Sequence, residues 1–112
     1  MSIEEVMLNY LLDNGVDAYI ERPEEKPDTY VLIDKTGGTC SNLVETSTIA
    51  FQSIAPTLAE ASALNDQVKE LINAADTLAR VSAVHLTSDA NYTNPNAKQY
   101  RYQAVYEITY RI

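Results

Sequence analysis

Three short stretches hold residue types that could do chemistry. Lys35-Thr36-Gly37 matches the K-T-G box that serine β-lactamases and penicillin-binding proteins place beside a nucleophilic serine. That machinery also needs S-x-x-K and S-D-N boxes in a much larger domain, and neither box occurs in these 112 residues. Cys40 is the sole cysteine, and Lys35 is the only nearby basic residue that could lower its pKa. His85 is the sole histidine, which excludes a multi-histidine metal site. The acids Glu4, Glu5, Glu24, Glu25 and Asp28 sit where helix caps or solvated loops are expected, without D-x-D or EF-hand spacing. Gly37-Gly38 lacks the G-x-x-x-x-G-K frame of a phosphate loop, and Asn91-Tyr92-Thr93 is a glycosylation acceptor only in an exported chain. These observations point away from an enzyme, and no cofactor, catalytic residue or metal ligand is expected.

The elements that would position any site are easier to read. Residues 100–112 alternate: Tyr100, Tyr102, Ala104, Tyr106, Ile108, Tyr110 and Ile112 share one parity, while Arg101, Gln103, Val105, Glu107, Thr109 and Arg111, mostly polar, share the other. Successive strand side chains point to opposite faces, so this is a strand with an apolar, aromatic inner face. Ile3, Val6, Met7, Tyr10 and Leu11 recur at helical spacing behind Ser2, a natural N-cap, and Asn14-Gly15 closes the helix. A short strand is expected over residues 16–21, then a proline-bounded charged connection, then a strand over residues 29–35. Gly37-Gly38 is expected to turn that strand back into a third over residues 43–54, with Leu43, Ser47, Ile49, Phe51 and Ser53 on one face. Thr57 and Glu60 form a T-x-x-E capping box ahead of the apolar stripe Leu58, Ala61, Leu64, Val68, Leu71, Ile72 and Ala75. A fourth strand over residues 80–88, with Val84 and Leu86 inward, joins the last through the turn-rich residues 89–99. The order α-β-β-β-α-β-β predicts a single α+β domain over residues 1–112, a mostly antiparallel sheet of about five strands with both helices on one face.

Composition narrows the function further. The net charge of −8 argues against a chain that grips nucleic acid or an anionic membrane, since both need basic patches. Apolar runs are too short to span a bilayer, so no membrane partner is expected. The lone cysteine suits a reducing compartment, and the acidic start lacks the basic run of a signal peptide.

Four places together resemble a known family. They are the acidic amphipathic first helix; the strand from Tyr30 into Gly37-Gly38 with its long return to Ala55-Pro56; the capped Thr57-Leu58-Ala59-Glu60-Ala61 helix start; and the loop Asn94-Pro95 leading through Arg101-Tyr102 to Tyr110. On these residues the chain resembles the small tail-terminator, or tail-completion, proteins of long-tailed bacteriophages and prophages, with related neck and minor tail proteins. The resemblance implies a non-enzymatic ring, typically a hexamer, that caps the tail tube and offers the head connector its joining surface. Its implied partners are further copies of itself, the tail tube protein and the head connector or neck protein. DNA would pass the lumen without specific binding, and the acidic charge would multiply around the ring and repel the phosphate backbone. The implied location is the host bacterial cytoplasm during assembly, then the virion tail or neck. A monomeric α+β protein-binding or regulatory module is the competing expectation. Candidate partner-docking residues are Thr36, Gly37, Gly38, Thr39 and Asn42 in one connection and Asn91, Tyr92, Asn94 and Pro95 in the other. The polar run Glu45, Thr46, Ser47 and Thr48 is the candidate subunit interface.

Overall fold

The computed structural model describes residues 2–25, 27–94 and 99–111. Its elements are α1 (Ile3–Asp13), β1 (Ala18–Tyr19), β2 (Tyr30–Ser41), β3 (Val44–Ala55), α2 (Leu58–Asn73), a 3-10 turn (Ala75–Thr77), β4 (Val81–Asn91) and β5 (Tyr100–Arg111). They form the expected α+β fold in the expected order, with a five-stranded mixed sheet and two helices. The strand order is β1-β2-β3-β5-β4, antiparallel throughout except for the short parallel β1–β2 pair.

Local chemistry sets the helix starts. The Ser2 hydroxyl accepts from the Glu5 N–H at 3.2 Å, and the Glu5 carboxylate accepts in return from the Ser2 N–H at 3.2 Å. These reciprocal bonds satisfy donors that an α-helix leaves orphaned. At α2 the Thr57 hydroxyl accepts from the Glu60 N–H at 3.2 Å, one of the two bonds of the expected box. Gly15 has φ +81°, the left-handed conformation that lets the chain leave α1 and turn into β1.

The core lies between the helices and one face of the sheet. Ile3, Met7 and Leu11 of α1 and Val68 and Ile72 of α2 pack with Val31, Ile33, Ile49, Phe51, Ala104, Tyr106, Ile108 and Tyr110. From Ala104 to Tyr110 the even parity of β5 is the buried one, as the alternation predicts, with Leu64 and Leu71 of α2 completing the cover, whereas Tyr102 is half-buried and Tyr100 exposed. The two helices meet where the Tyr10 hydroxyl donates to the Leu71 carbonyl at 2.7 Å. On the opposite face, Tyr30, Leu32 and Ile54 form a small cluster with Tyr19. Polar pairs share this face, Gln52 with Gln103 next to the cluster and Thr46 with Thr109 toward the other end of β3.

Several boundaries depart from expectation. β1 is two residues long rather than six, because only Ala18 and Tyr19 find partners on β2. β4 runs on to Asn91, so the first three residues of the expected 89–99 connection are strand. The largest correction concerns Gly37-Gly38. It is not a hairpin turn: β2 continues through both glycines to Ser41, paired with Thr48 and Ser47 of β3. The chain reverses at Asn42 and Leu43, whose φ values of 52° and 66° fit a two-residue primed turn. Leu43 consequently leaves the β3 inner face and is 73 % exposed.

The glycines sit in the paired strand just after a bulge at Thr36 rather than in a turn. The pairing shifts register between Lys35 and Gly37, and a side chain at Gly38 would lie 3.3 Å from the Thr46 carbonyl and 3.4 Å from Lys35 Cε. Gly38→Ala should therefore cost about 1 kcal/mol, because a backbone atom must yield. A chemical denaturation curve superimposable on wild type would contradict the close approach.

Candidate functional site

The two candidate docking segments lie at opposite ends of the molecule. β3 pairs Val44 with Arg111 at one end and Ala55 with Tyr100 at the other, and β4 pairs Asn91 with Tyr102. The Asn42–Leu43 turn thus caps the end where β2 finishes and β3 begins, while Asn91, Tyr92 and Asn94 lie at the far end. Twelve strand residues at about 3.3 Å each separate them, consistent with a longest molecular dimension of 44 Å. A single rim built from both segments is excluded by this register. Pro95 lies outside the described residues.

At the turn end, Thr36, Gly37, Gly38 and Thr39 are exposed strand residues and Asn42 is the first turn residue. The Thr36 hydroxyl donates weakly to the Thr48 carbonyl at 3.4 Å. Leu43 occupies the second turn position, where glycine is preferred. A bulky side chain in the left-handed region costs about 1–2 kcal/mol because its Cβ crowds the following carbonyl. Val44 beside it is also exposed. At the far end, Tyr92 continues the β4–β5 pairing by donating its N–H to the Arg101 carbonyl at 2.8 Å, and its side chain is 57 % exposed. The Asn91 side chain accepts from the Thr93 N–H at 3.0 Å, fixing the exit from β4. Leu58 at the start of α2 and Tyr100 at the start of β5 are exposed at this same end. Leu12 and Ile20, on α1 and just past β1, are the other exposed large apolar side chains among the described residues.

The proposed interface run is placed differently. Glu45, Thr46, Ser47 and Thr48 belong to β3, which is flanked on both sides by β2 and β5 and offers no free edge. Ser47 is fully buried, with its hydroxyl 3.3 Å from both the Glu45 carboxylate and the Tyr110 hydroxyl. Glu45 pairs with Lys35 at 2.9 Å. That bond holds the Glu45 carboxyl below the usual carboxylate range and raises the Lys35 ammonium, while burial raises the Tyr110 phenol. Ser47 cannot reach a neighbouring subunit, because it is already committed inside its own.

Sequence reasoning missed the polar seam under α2. Asn65 occupies a stripe position between Ala61 and Val68 and is buried at 2 % exposure. Its amide donates to Asp89 at 2.8 Å, and Lys69 contacts the other Asp89 oxygen at 2.6 Å. Burial raises the Asp89 pKa, but the Lys69 and Asn65 bonds outweigh it and leave the carboxyl lowered overall. The Tyr106 hydroxyl donates to Asn73 Oδ1 at 2.8 Å at the same helix face, and burial pushes the phenol up. The available signal was the asparagine on the apolar stripe. This seam joins helix to sheet, and the Asn65 Oδ1 atom within it is buried without a hydrogen-bond partner among the described residues.

The sheet edges differ from the ends. β4, at one edge, carries two register shifts, between Val81 and Ala83 and between Leu86 and Ser88. Such bulges twist an edge and discourage strand addition. β2 is covered by β1 only at Val31 and Leu32, and its outer edge beyond them has no neighbouring strand among the described residues. The face away from the helices balances Asp34 and Glu107 against Arg101 and Arg111, so it contributes nothing to the net charge of −8. Among the described residues no three His, Cys, Asp or Glu side chains are grouped to hold a metal ion, and no helix is long and apolar enough to cross a membrane. No protein-family model matches the chain, and no curated protein matches it.

Proposed function

We propose that this chain is a structural component of a bacteriophage or prophage tail or neck, a ring-forming tail terminator or a close neck or minor tail relative. The observation that carries the reading is the non-equivalence of its two ends. A closed ring needs head-to-tail contacts, in which one surface meets a different surface of the next copy. This subunit carries exposed apolar side chains at the Leu43 turn and a second, different set at Leu58, Tyr92 and Tyr100. The agreement of element order with the tail-terminator resemblance supports the same reading. In this role the chain acts without catalysis, as a hexameric ring seated on the tail tube protein and presenting a surface to the head connector. DNA passes through without specific binding, because an acidic subunit with a charge-balanced open sheet face offers no basic track for phosphates. Assembly takes place in the host cytoplasm, and the ring remains in the virion tail or neck.

The test combines mass and capping. Light scattering behind size-exclusion chromatography should show mass rising with concentration or on addition of purified tail tubes. Electron micrographs should then show rings at one tube end. A chain that stays monomeric and leaves tube ends bare would return the assignment to a monomeric α+β binding module, a reading that the bulged β4 edge favours.

A further inference from the structure

The first three elements are joined to the rest of the fold by a two-residue hinge. α1, β1 and β2 precede Asn42-Leu43, and β3 and every later element follow it. This arm is held to the rest by contacts distant in sequence. They are the β2–β3 ladder, the packing of Ile3, Met7 and Leu11 into the core, and the bond from the Tyr10 hydroxyl to the Leu71 carbonyl. Lys35 and Glu45 add an ion pair across the same ladder.

Two features favour opening at this hinge. Leu43 holds φ +66°, a conformation that crowds its Cβ against the following carbonyl. Extended backbone removes that crowding, and leucine adopts it freely. The ladder beside the hinge is also weakly anchored. From Asp34 to Ser41 every β2 residue is exposed, and so is Val44, the partner of Ser41. The same stretch contains the register shift between Lys35 and Gly37 and both strand glycines. Glycine-rich strands that are polar on both faces specify their partner weakly and are prone to exchange it. A ladder with few buried apolar contacts is also where a fold opens first. If Asn42 and Leu43 straighten, β2 and β3 run on as one strand and the arm leaves its own core. In a second copy opened the same way, each arm meets the β3 ladder, the core and the Leu71 carbonyl that it left. No new complementary surface is needed, because every contact between the copies repeats one made within the monomer.

We infer that the Asn42–Leu43 turn is a strained hinge through which two copies of this chain exchange their α1-β1-β2 arms, giving a domain-swapped dimer. The inference is independent of the ring reading. A swapped pair uses both arms and stops at two chains, whereas a ring grows past dimer. Exchange must first break the buried contacts of α1 and β2, so monomer and dimer interconvert at the rate of large-scale unfolding.

Refolding tests it. Wild type unfolded in guanidinium and refolded at high chain concentration should yield a dimer on size-exclusion chromatography, and at low concentration only monomer. Each isolated form should persist on dilution at room temperature and convert on warming. Leu43→Gly creates the Asn-Gly pair that such turns prefer, so it should fold and melt no lower than wild type. Strain is relieved at two hinges per dimer, each worth a factor of about 5–30, so this variant should dimerise roughly 30-fold or more weakly. The exchange itself is read in dimer refolded from a mixture of isotope-labelled and unlabelled chains. Isotope-filtered nuclear Overhauser spectra should join Ile33 of one chain to Phe51, its register partner, in the other. The inference is overturned if wild type refolds to monomer alone at every concentration. It is equally overturned if Ile33 and Phe51 meet only within one chain of the dimer, which would show docking of intact surfaces. Dimerisation of Leu43→Gly as strong as that of wild type would remove the hinge from the mechanism and overturn it as well.

Discussion

Phe51→Ala is expected to remove about 3–5 kcal/mol of folding stability, the range for deleting a buried aromatic ring. Phe51 is fully buried at the middle of β3 and meets Tyr106 of β5 edge to face, with ring centroids 5.9 Å apart. The buried cluster to which it belongs draws on both helices and the sheet, so the gap is lined by several elements at once. A domain of this size has only about 5–15 kcal/mol in total, so the variant should melt far below wild type. Urea denaturation read by circular dichroism measures the loss, and Phe51→Leu should cost less because more of the volume is kept. A loss below about 1 kcal/mol for the alanine variant would mean that the site collapses freely. The packing described for α2 over β3 and β5 would then be incorrect.

The second large effect is expected at Asn65. Asn65→Asp places a second carboxylate against Asp89 in a position where the present side chain is 2 % exposed and donates to it. Leaving a buried charge uncompensated costs about 3–5 kcal/mol, and one nearby ammonium, on Lys69, cannot pair fully with two acids. Burial and the neighbouring charge should both raise the folded pKa of the new carboxyl above its unfolded value of about 3.9. The penalty is then full above the folded pKa and disappears as pH falls below the unfolded one. Wild type moves the other way: the lowered Asp89 pKa gives stability above the ordinary aspartate range, lost as pH falls through the folded value. The gap between the two melting temperatures should therefore narrow from neutral pH to about pH 4. A gap independent of pH would show that the carboxylate at this position is solvated.

These two positions also mark how far the chain could be read without coordinates. Phe51 was legible because it lies on one parity of a strand that also carries Ile49, Ser47 and Ser53, all of them buried. Asn65 was hidden inside an otherwise regular stripe, because helical periodicity assigns a face to a residue and not a partner. Its partner Asp89 carries a loop signal in the sequence, since Asp, Asn and Ser near residue 89 resemble turn chemistry. Pairing with Ala104 of β5 draws that segment into the sheet, a non-local contact that overrides the local preference.

The sequence alone determined the elements whose causes are local: the Ser2 and Thr57 caps, the Gly15 exit, and the alternation that buries Tyr106, Ile108 and Tyr110. From these it reached the α+β class and the single helix-covered face. The location of the β2–β3 turn required the tertiary structure, because the obvious glycines are paired strand residues and the reversal falls on Asn42 and Leu43. The distribution of the candidate surfaces was likewise a tertiary outcome. Whether two connections share an end depends on how many strands separate them and on the direction of each. Here β3 enters at the Leu43 turn and β4 leaves toward Tyr92, so antiparallel pairing through β5 carries the two segments to opposite ends.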